Sequence, residues 1–131
     1  MTIKLVNGDG FNYLDVPVAG LVVTDAPKRA IENLLRRCEK YGIPMINAYS
    51  TKWLEPGRFD GEKCVQPYQA IIRAFPEEKI IIDPFMGSGT TGIAAVLEDR
   101  DFIGFEIDPE RFRYAKSRIE NAVAGAVTGH F

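Results

Sequence analysis

The stretch Ile80–Gly92, which reads IIIDPFMGSGTTG, decides the fold of this 131-residue chain. Its run of β-branched residues predicts a buried parallel strand that ends at Asp83. The glycines after Asp83 predict a tight turn, and the apolar spacing through Leu97 predicts a helix. A strand, a glycine turn and a helix N-terminus together predict a small-molecule site, because the first N–H groups of a helix are free to bind a ligand. Asp83, at the carboxyl edge of the sheet, is suited to hold a cationic amine.

The glycines of this turn also match the dinucleotide-binding fingerprint. Gly87, Gly89 and Gly92 have the G-x-G-x-x-G spacing. Glu106 follows roughly 20 residues later at the end of the next predicted strand, where the fingerprint places an acid that binds a ribose hydroxyl. A tight strand-to-helix turn without a ligand is the simpler alternative.

The segment Asp83–Thr91, DPFMGSGTT, resembles the cofactor loop of DNA methyltransferases that act on exocyclic amines. Those enzymes make N6-methyladenine or N4-methylcytosine from S-adenosylmethionine. The resemblance continues through Arg100–Asp108 to Ala115 and Arg118-Ile119. It implies S-adenosylmethionine, or its product S-adenosylhomocysteine, as the ligand. The cofactor-binding residues that it implies in this part of the chain are Asp83, Phe85, Gly87, Ser88, Gly89, Thr90, Thr91 and Glu106.

A second cofactor contact is implied near the start of the sequence. The segment Thr2–Val6 predicts a first strand, and the turn Asn7–Gly10 follows it. In the resembling family, the acid of an Asn-Gly-Asp-like turn lies near the cofactor adenine, and Asp9 is the matching position. An ordinary turn aspartate is the alternative.

The candidate catalytic residues are Asp25 and Pro27. The segment GLVVTD predicts a buried strand that ends at Asp25, and Asp25-Ala26-Pro27-Lys28 occupies the place of the family's catalytic Asp-Pro-Pro-Tyr. In that motif the carboxylate orients the target amine and the aromatic ring stacks on the flipped base. Because Lys28 replaces the aromatic residue and stacking is worth about 1–3 kcal/mol per base, the resemblance implies a weakened catalyst. The alternative for Asp25 is a helix N-cap.

The region between the two motifs is short. The segment Ser50–Val65 breaks periodicity and predicts a long loop, in which Trp53 and Phe59 either pin the loop to the core or stack on a base. Full-length relatives of the resembling family keep more strands and a target-recognition region here. A helix that begins at Gln66-Pro67 resembles the one that normally opens with Lys-Pro before the cofactor loop.

The alternation of strands and helices predicts an α/β fold: one Rossmann-like methyltransferase domain over residues 1–124, followed by a flexible tail, 125–131. Five strands are expected in a mostly parallel sheet with helices on both faces. If the Asp83 strand is numbered 1 and the Glu106 strand 2, the strand order is 3-2-1-4-5. The chain's first strand is then 3, the Asp25 strand 4 and the Met45 strand 5. Asp83 and Asp25 should therefore face one crevice.

Composition narrows the class of protein. A hydrophobic content of 46% and a charged content of 26% are ordinary for a soluble domain, and no apolar run or secretory signal predicts a membrane or export. Cys38 and Cys64 predict free thiols in a reducing cytoplasm, and the only histidine, His130, predicts no metal site. The net charge of −2 argues against strong nucleic-acid binding by the chain alone, and basic pairs such as Arg36-Arg37 read as solvated helix faces.

Three functions are compatible with these observations. The first, which we favour, is an S-adenosylmethionine-binding relative that lacks target recognition and an intact catalytic motif, and is weak or inactive alone. The second is an active minimal N-methyltransferase on nucleic acid, helped by a partner. The third is a dinucleotide-binding domain, which Asp83 disfavours because an acid repels a pyrophosphate. An uncovered sheet edge at the Met45 strand, beyond which the family's remaining strands are absent, would favour a homodimer or docking to a larger methyltransferase subunit.

Overall fold

The computed structural model describes residues 1–13, 19–48 and 65–128. The predictions for the loop that contains Trp53 and Phe59, and for residues 129–131, lie outside this part of the chain. Among the described helices, none is long and apolar enough to cross a membrane.

The described residues form five strands and five helices. The strands are β1 (Ile3–Val6), β2 (Leu21–Thr24), β3 (Met45–Asn47), β4 (Ile80–Asp83) and β5 (Asp101–Phe105). The helices are α1 (Gly10–Tyr13), α2 (Lys28–Lys40), α3 (Val65–Arg73), α4 (Thr90–Leu97) and α5 (Pro109–Thr128). Because α5 runs to Thr128, residues 125–128 of the predicted tail are helical.

The strands form one sheet in the order β1-β5-β4-β2-β3, and all four neighbouring pairs are parallel. The predicted order 3-2-1-4-5 is therefore confirmed. The strands β4 and β2 are neighbours in the sheet but distant in the chain, with Ile81 opposite Leu21. Their carboxyl ends meet where the strand order reverses, which is the usual place for a ligand in such sheets.

Helices cover both faces of the sheet, because successive side chains of each buried strand point to opposite sides. On one face, Leu21 and Val23 belong to a core that α3, α4 and α5 complete. On the other face, Val22 and Ile82 pack against the buried stripe of α2. The helix α4 after the glycine turn and the helix α2 after Asp25 thus leave the same edge of the sheet on opposite sides.

The helix boundaries follow local signals. Asp108 precedes α5, and its Oδ2 accepts a hydrogen bond from the Arg111 N–H at 2.8 Å, as an N-cap aspartate should. The residue at the N-cap position of α2 is Pro27, and no side-chain hydrogen bond caps that helix. Asp25 therefore does not occupy the N-cap position, which was the alternative for its role.

Candidate functional site

Asp83 is a buried carboxylate at the end of β4, with only 2% of its surface exposed. Its Oδ1 accepts hydrogen bonds from the Thr24 hydroxyl at 2.7 Å and from the Phe85 N–H at 3.0 Å. Burial raises the pKa of Asp83 to about 6, and the nearby charge of Asp25 adds to the rise, while hydrogen bonds from Thr24, Phe85 and Thr91 oppose it. Asp83 therefore ionises close to neutral pH.

A small cavity of about 90 Å³ lies over Asp83. It is lined by Asp25, Tyr68, Asp83, Phe85, Met86, Gly87, Ser88, Thr90 and Thr91. The expectation that Asp25 and Asp83 face one crevice is thus met, although the chain separates them by 58 residues, from 25 to 83. None of these lining residues is a lysine or an arginine, so the cavity suits a small cationic group.

Tyr68 is a lining residue that the sequence did not reveal as part of the site. It lies on α3, is 1% exposed, and was expected only as part of an apolar stripe. Burial raises the pKa of the Tyr68 hydroxyl above its usual range, and the charges of Asp25 and Asp83 add to the rise. The hydroxyl therefore remains protonated beside the two acids. The sequence held one signal for this role: Tyr68 directly follows Gln66-Pro67, where the helix that resembles the family's helix before the cofactor loop begins.

The glycines of the turn have different roles. Gly87 has φ of 52° and open space where a side chain would stand, so a ligand can approach its backbone closely. Gly89 has φ of 88° and begins α4, but a Cβ there would lie 3.1 Å from Ala115 Cβ and Ile119 Cδ1. Gly87 thus faces the cavity, whereas Gly89 packs against α5. Within the described residues, no side-chain hydrogen bond caps α4, so its first N–H groups are available to a ligand.

A larger cavity of about 270 Å³ lies next to the small one. It is lined by Gly8, Asp9, Gly10, Phe11, Pro27, Arg29, Ala30, Pro84, Phe85, Glu106 and Ile107. The structure thus brings Asp9 and Glu106 together from the two ends of the sequence. Phe85 lines both cavities and is the residue that their linings share.

Glu106 holds the glycine turn after β4 and also lines the larger cavity. Its Oε1 accepts a hydrogen bond from the Gly87 N–H at 3.1 Å, and its Oε2 accepts one from the Asp108 N–H at 2.9 Å. Because an ionised carboxylate has about four lone-pair positions, both oxygens can still accept a ligand hydroxyl. Asp9, which lines the same cavity, accepts a hydrogen bond on its Oδ1 from the Phe11 N–H at 2.9 Å.

Comparison with known proteins identifies one family that the chain matches over most of its length. The family model N6_N4_Mtase, described as DNA methylase, matches residues 26–117. The type II methyltransferase M.Cfr9I of Citrobacter freundii is 42% identical over 119 residues, which cover 75% of this chain and 39% of that protein. M2.DpnII of Streptococcus pneumoniae is 42% identical over 70 residues, which cover 53% of this chain and 25% of that protein. The chain spans well under half the length of the curated relatives that it matches.

Solved structures share the fold at low sequence identity. TTHA0409 of Thermus thermophilus, complexed with S-adenosyl-L-methionine, superposes with a TM-score of 0.66 at 16% identity, covering 95% of this chain and 96% of that chain. The M1.HpyAVI-SAM complex superposes with a TM-score of 0.59 at 22% identity. The superposition covers 90% of this chain and 100% of that chain.

Proposed function

Because this chain belongs to the DNA methylase family, we propose that it binds S-adenosylmethionine across the two cavities that share Phe85 as a lining residue. The observation that carries the proposal is the pairing of a small acidic cavity over Asp83 with a larger cavity that contains Asp9 and Glu106. Together the two volumes lie within the range of about 300–1,000 Å³ for ligand pockets, near its lower end.

The chemistry of each cavity fits one end of this cofactor. In the small cavity, Asp83 would accept hydrogen bonds from the ammonium group, and the uncapped N–H groups of α4 would bind the carboxylate. In the larger cavity, Glu106 would accept hydrogen bonds from the ribose hydroxyls, with Asp9 near the adenine. A pyrophosphate fits the small cavity poorly because Asp25 and Asp83 would repel it, which disfavours the dinucleotide alternative.

We further propose that methyl transfer by this chain alone is weak or absent. When bound, the cofactor supplies an electrophilic methyl group. Asp25 lines the small cavity, where its carboxylate can orient a target amine. The first residue of α2 is Lys28, which is exposed and has no ring to stack on a flipped base. The arrangement therefore retains an orienting acid but lacks a stacking platform among these motif residues.

A second candidate function is methyl transfer with a partner that supplies target recognition. It is favoured by the position of Asp25 in the same cavity as Asp83. The matches cover less than half of the relatives' length. The partner in this proposal is a larger methyltransferase subunit or a second copy of this chain.

Isothermal titration tests the cofactor proposal. We expect wild-type protein to bind S-adenosylmethionine and S-adenosylhomocysteine but not NAD⁺. Glu106→Ala should weaken binding by about 10-fold or more, because a hydrogen bond to a charged group contributes about 1.5–3 kcal/mol. The substitution also removes the bond to the Gly87 N–H. Binding that stays undetectable with millimolar S-adenosylmethionine would refute the proposal.

A methyl-transfer assay tests the role of Lys28. Radiolabelled transfer to single-stranded and duplex DNA should be near background for wild-type protein, and Lys28→Tyr should raise it by about 10-fold or more if stacking is restored. Lys40→Tyr is the matched control, because it places the same ring at the far end of α2. Robust wild-type transfer into a defined duplex site would contradict the proposed inactivity.

A further inference from the structure

We infer that Arg37, which lines neither cavity, is a positioning residue: it holds Phe11 against Phe85 and thereby sets the affinity for the adenosine end of the cofactor. This inference rests on the proposed function. The element concerned is α1, a helix of only four residues that forms one wall of the larger cavity. A helix this short is not stable by itself and needs tertiary contacts to keep its place.

Arg37 supplies two such contacts from α2. Its Nη1 donates a hydrogen bond to the Phe11 carbonyl at 2.9 Å. Its guanidinium carbon also lies 4.6 Å from the centroid of the Phe11 ring, within the range of a cation–π contact. One side chain thus fixes both the backbone and the ring of Phe11, which constrains α1 in position and orientation.

The restraint extends from Phe11 to Phe85, the residue that lines both cavities. The Phe11 and Phe85 rings are 5.2 Å apart between centroids, with planes inclined at 78°, which is a favourable edge-to-face pair. Phe11 lines the larger cavity and Phe85 lines both. A loosened Phe11 would therefore change the width of the larger cavity on two sides, without removing any group that touches the ligand.

The neighbouring Arg36 offers a matched control. It has the same charge and lies one position earlier on α2, but its side chain is 72% exposed and pairs with Glu32 at 2.8 Å. Substitution of Arg36 removes the same charge and the same length of side chain without affecting Phe11. A difference between the two positions therefore reports the contacts of Arg37 and not the loss of a positive charge.

The experiment compares Arg37→Met, Arg37→Lys and Arg36→Met. For S-adenosylmethionine, the dissociation constant should rise about 3- to 10-fold in Arg37→Met, because a cation–π contact and a hydrogen bond are lost. Arg37→Lys should recover part of the loss, and Arg36→Met should match wild type. 5′-Methylthioadenosine lacks the amino-acid end of the cofactor. Its dissociation constant should rise by the same factor in Arg37→Met. Amide exchange in residues 10–13 should be faster only in Arg37→Met.

Equal affinities in Arg37→Met and Arg36→Met would overturn the inference. So would a loss for S-adenosylmethionine that 5′-methylthioadenosine does not share, because the effect would then lie at the methionine end. If wild-type protein binds neither ligand, the proposed function fails, and the effect on affinity fails with it. The exchange comparison would still decide whether Arg37 holds α1, since it needs no ligand.

Discussion

Asp83→Asn should weaken S-adenosylmethionine binding by about 10- to 100-fold near neutral pH, because it removes the charge from a hydrogen bond to an ammonium group. The side chain keeps its shape, and the asparagine oxygen can still accept the hydrogen bonds from Thr24 and Phe85. The protein should therefore remain folded. Calorimetric titration measures the affinity, and circular dichroism checks the fold.

The affinity of wild-type protein should also depend on pH. The pKa of Asp83 in the free protein is raised to about 6, chiefly by burial, and only the ionised form attracts a cation. Binding should therefore tighten as the pH rises through about 6, by up to about tenfold for each pH unit below that value. Asp83→Asn should remove this dependence. Equal pH profiles for the two proteins would show that Asp83 does not contact the ammonium group.

The folding stability of the free protein should fall as the pH rises, whereas its affinity for S-adenosylmethionine should increase. A carboxyl group whose pKa is raised in the folded state contributes stability that is fully present below the unfolded pKa of 3.8 and is lost as the pH rises through about 6. A pKa that is higher by about 2 corresponds to about 3 kcal/mol. Urea denaturation at several pH values measures this change. The free energy of unfolding of Asp83→Asn, relative to that of wild type, should increase as the pH rises.

Gly92→Val should lower the free energy of unfolding by about 2–3 kcal/mol, because it overpacks a filled core. A Cβ at this position of α4 would lie 2.6 Å from Ile119 Cδ1 and 2.7 Å from Phe102 Cε2. Both neighbours are fully buried, so neither can move aside freely. Chemical denaturation measures the loss, and Gly92→Ala should lose less because it adds fewer atoms.

A second substitution tests this cause. Ile119→Val removes the Cδ1 atom that lies closest to the new side chain. The double variant Gly92→Val/Ile119→Val should lose less free energy of unfolding than the two single variants lose together. The effects of substitutions at residues in contact are not additive. Strict additivity would show that close packing at Gly92 is not the source of the loss.

Much of the sheet could be predicted from the sequence, because two short motifs determine its centre. The runs that end at Asp25 and Asp83 are buried and consist of β-branched and other apolar residues apart from Thr24, as expected of parallel strands buried on both faces. Parallel strands end at one edge, so the meeting of the two acids followed from the order of the motifs. Gly89 was harder to place, because its packing against α5 depends on a helix that begins some 20 residues later.

Tyr68 and Arg37 were missed for a physical reason. Helical periodicity shows which side of a helix is buried, but not whether the polar end of a buried side chain reaches a cavity, as that of Tyr68 does. The pair Arg36-Arg37 was interpreted from the sequence as part of a solvated helix face. In the structure, only the Arg36 side chain lies on such a face. The contact between Arg37 and Phe11 joins positions 26 apart in the chain, and no local pattern encodes it.

The position of β1 beside β5 has a consequence for folding kinetics. The Asn7 side chain donates a hydrogen bond to the Glu106 carbonyl at 2.8 Å, and the Gly8 N–H donates to the same carbonyl at 3.1 Å. These bonds close a loop of 99 residues, whose entropy must be lost before the contacts are gained. During synthesis, β1 must therefore wait for β5 to emerge. The cavity between Asp9 and Glu106 forms only when nearly the whole domain is available.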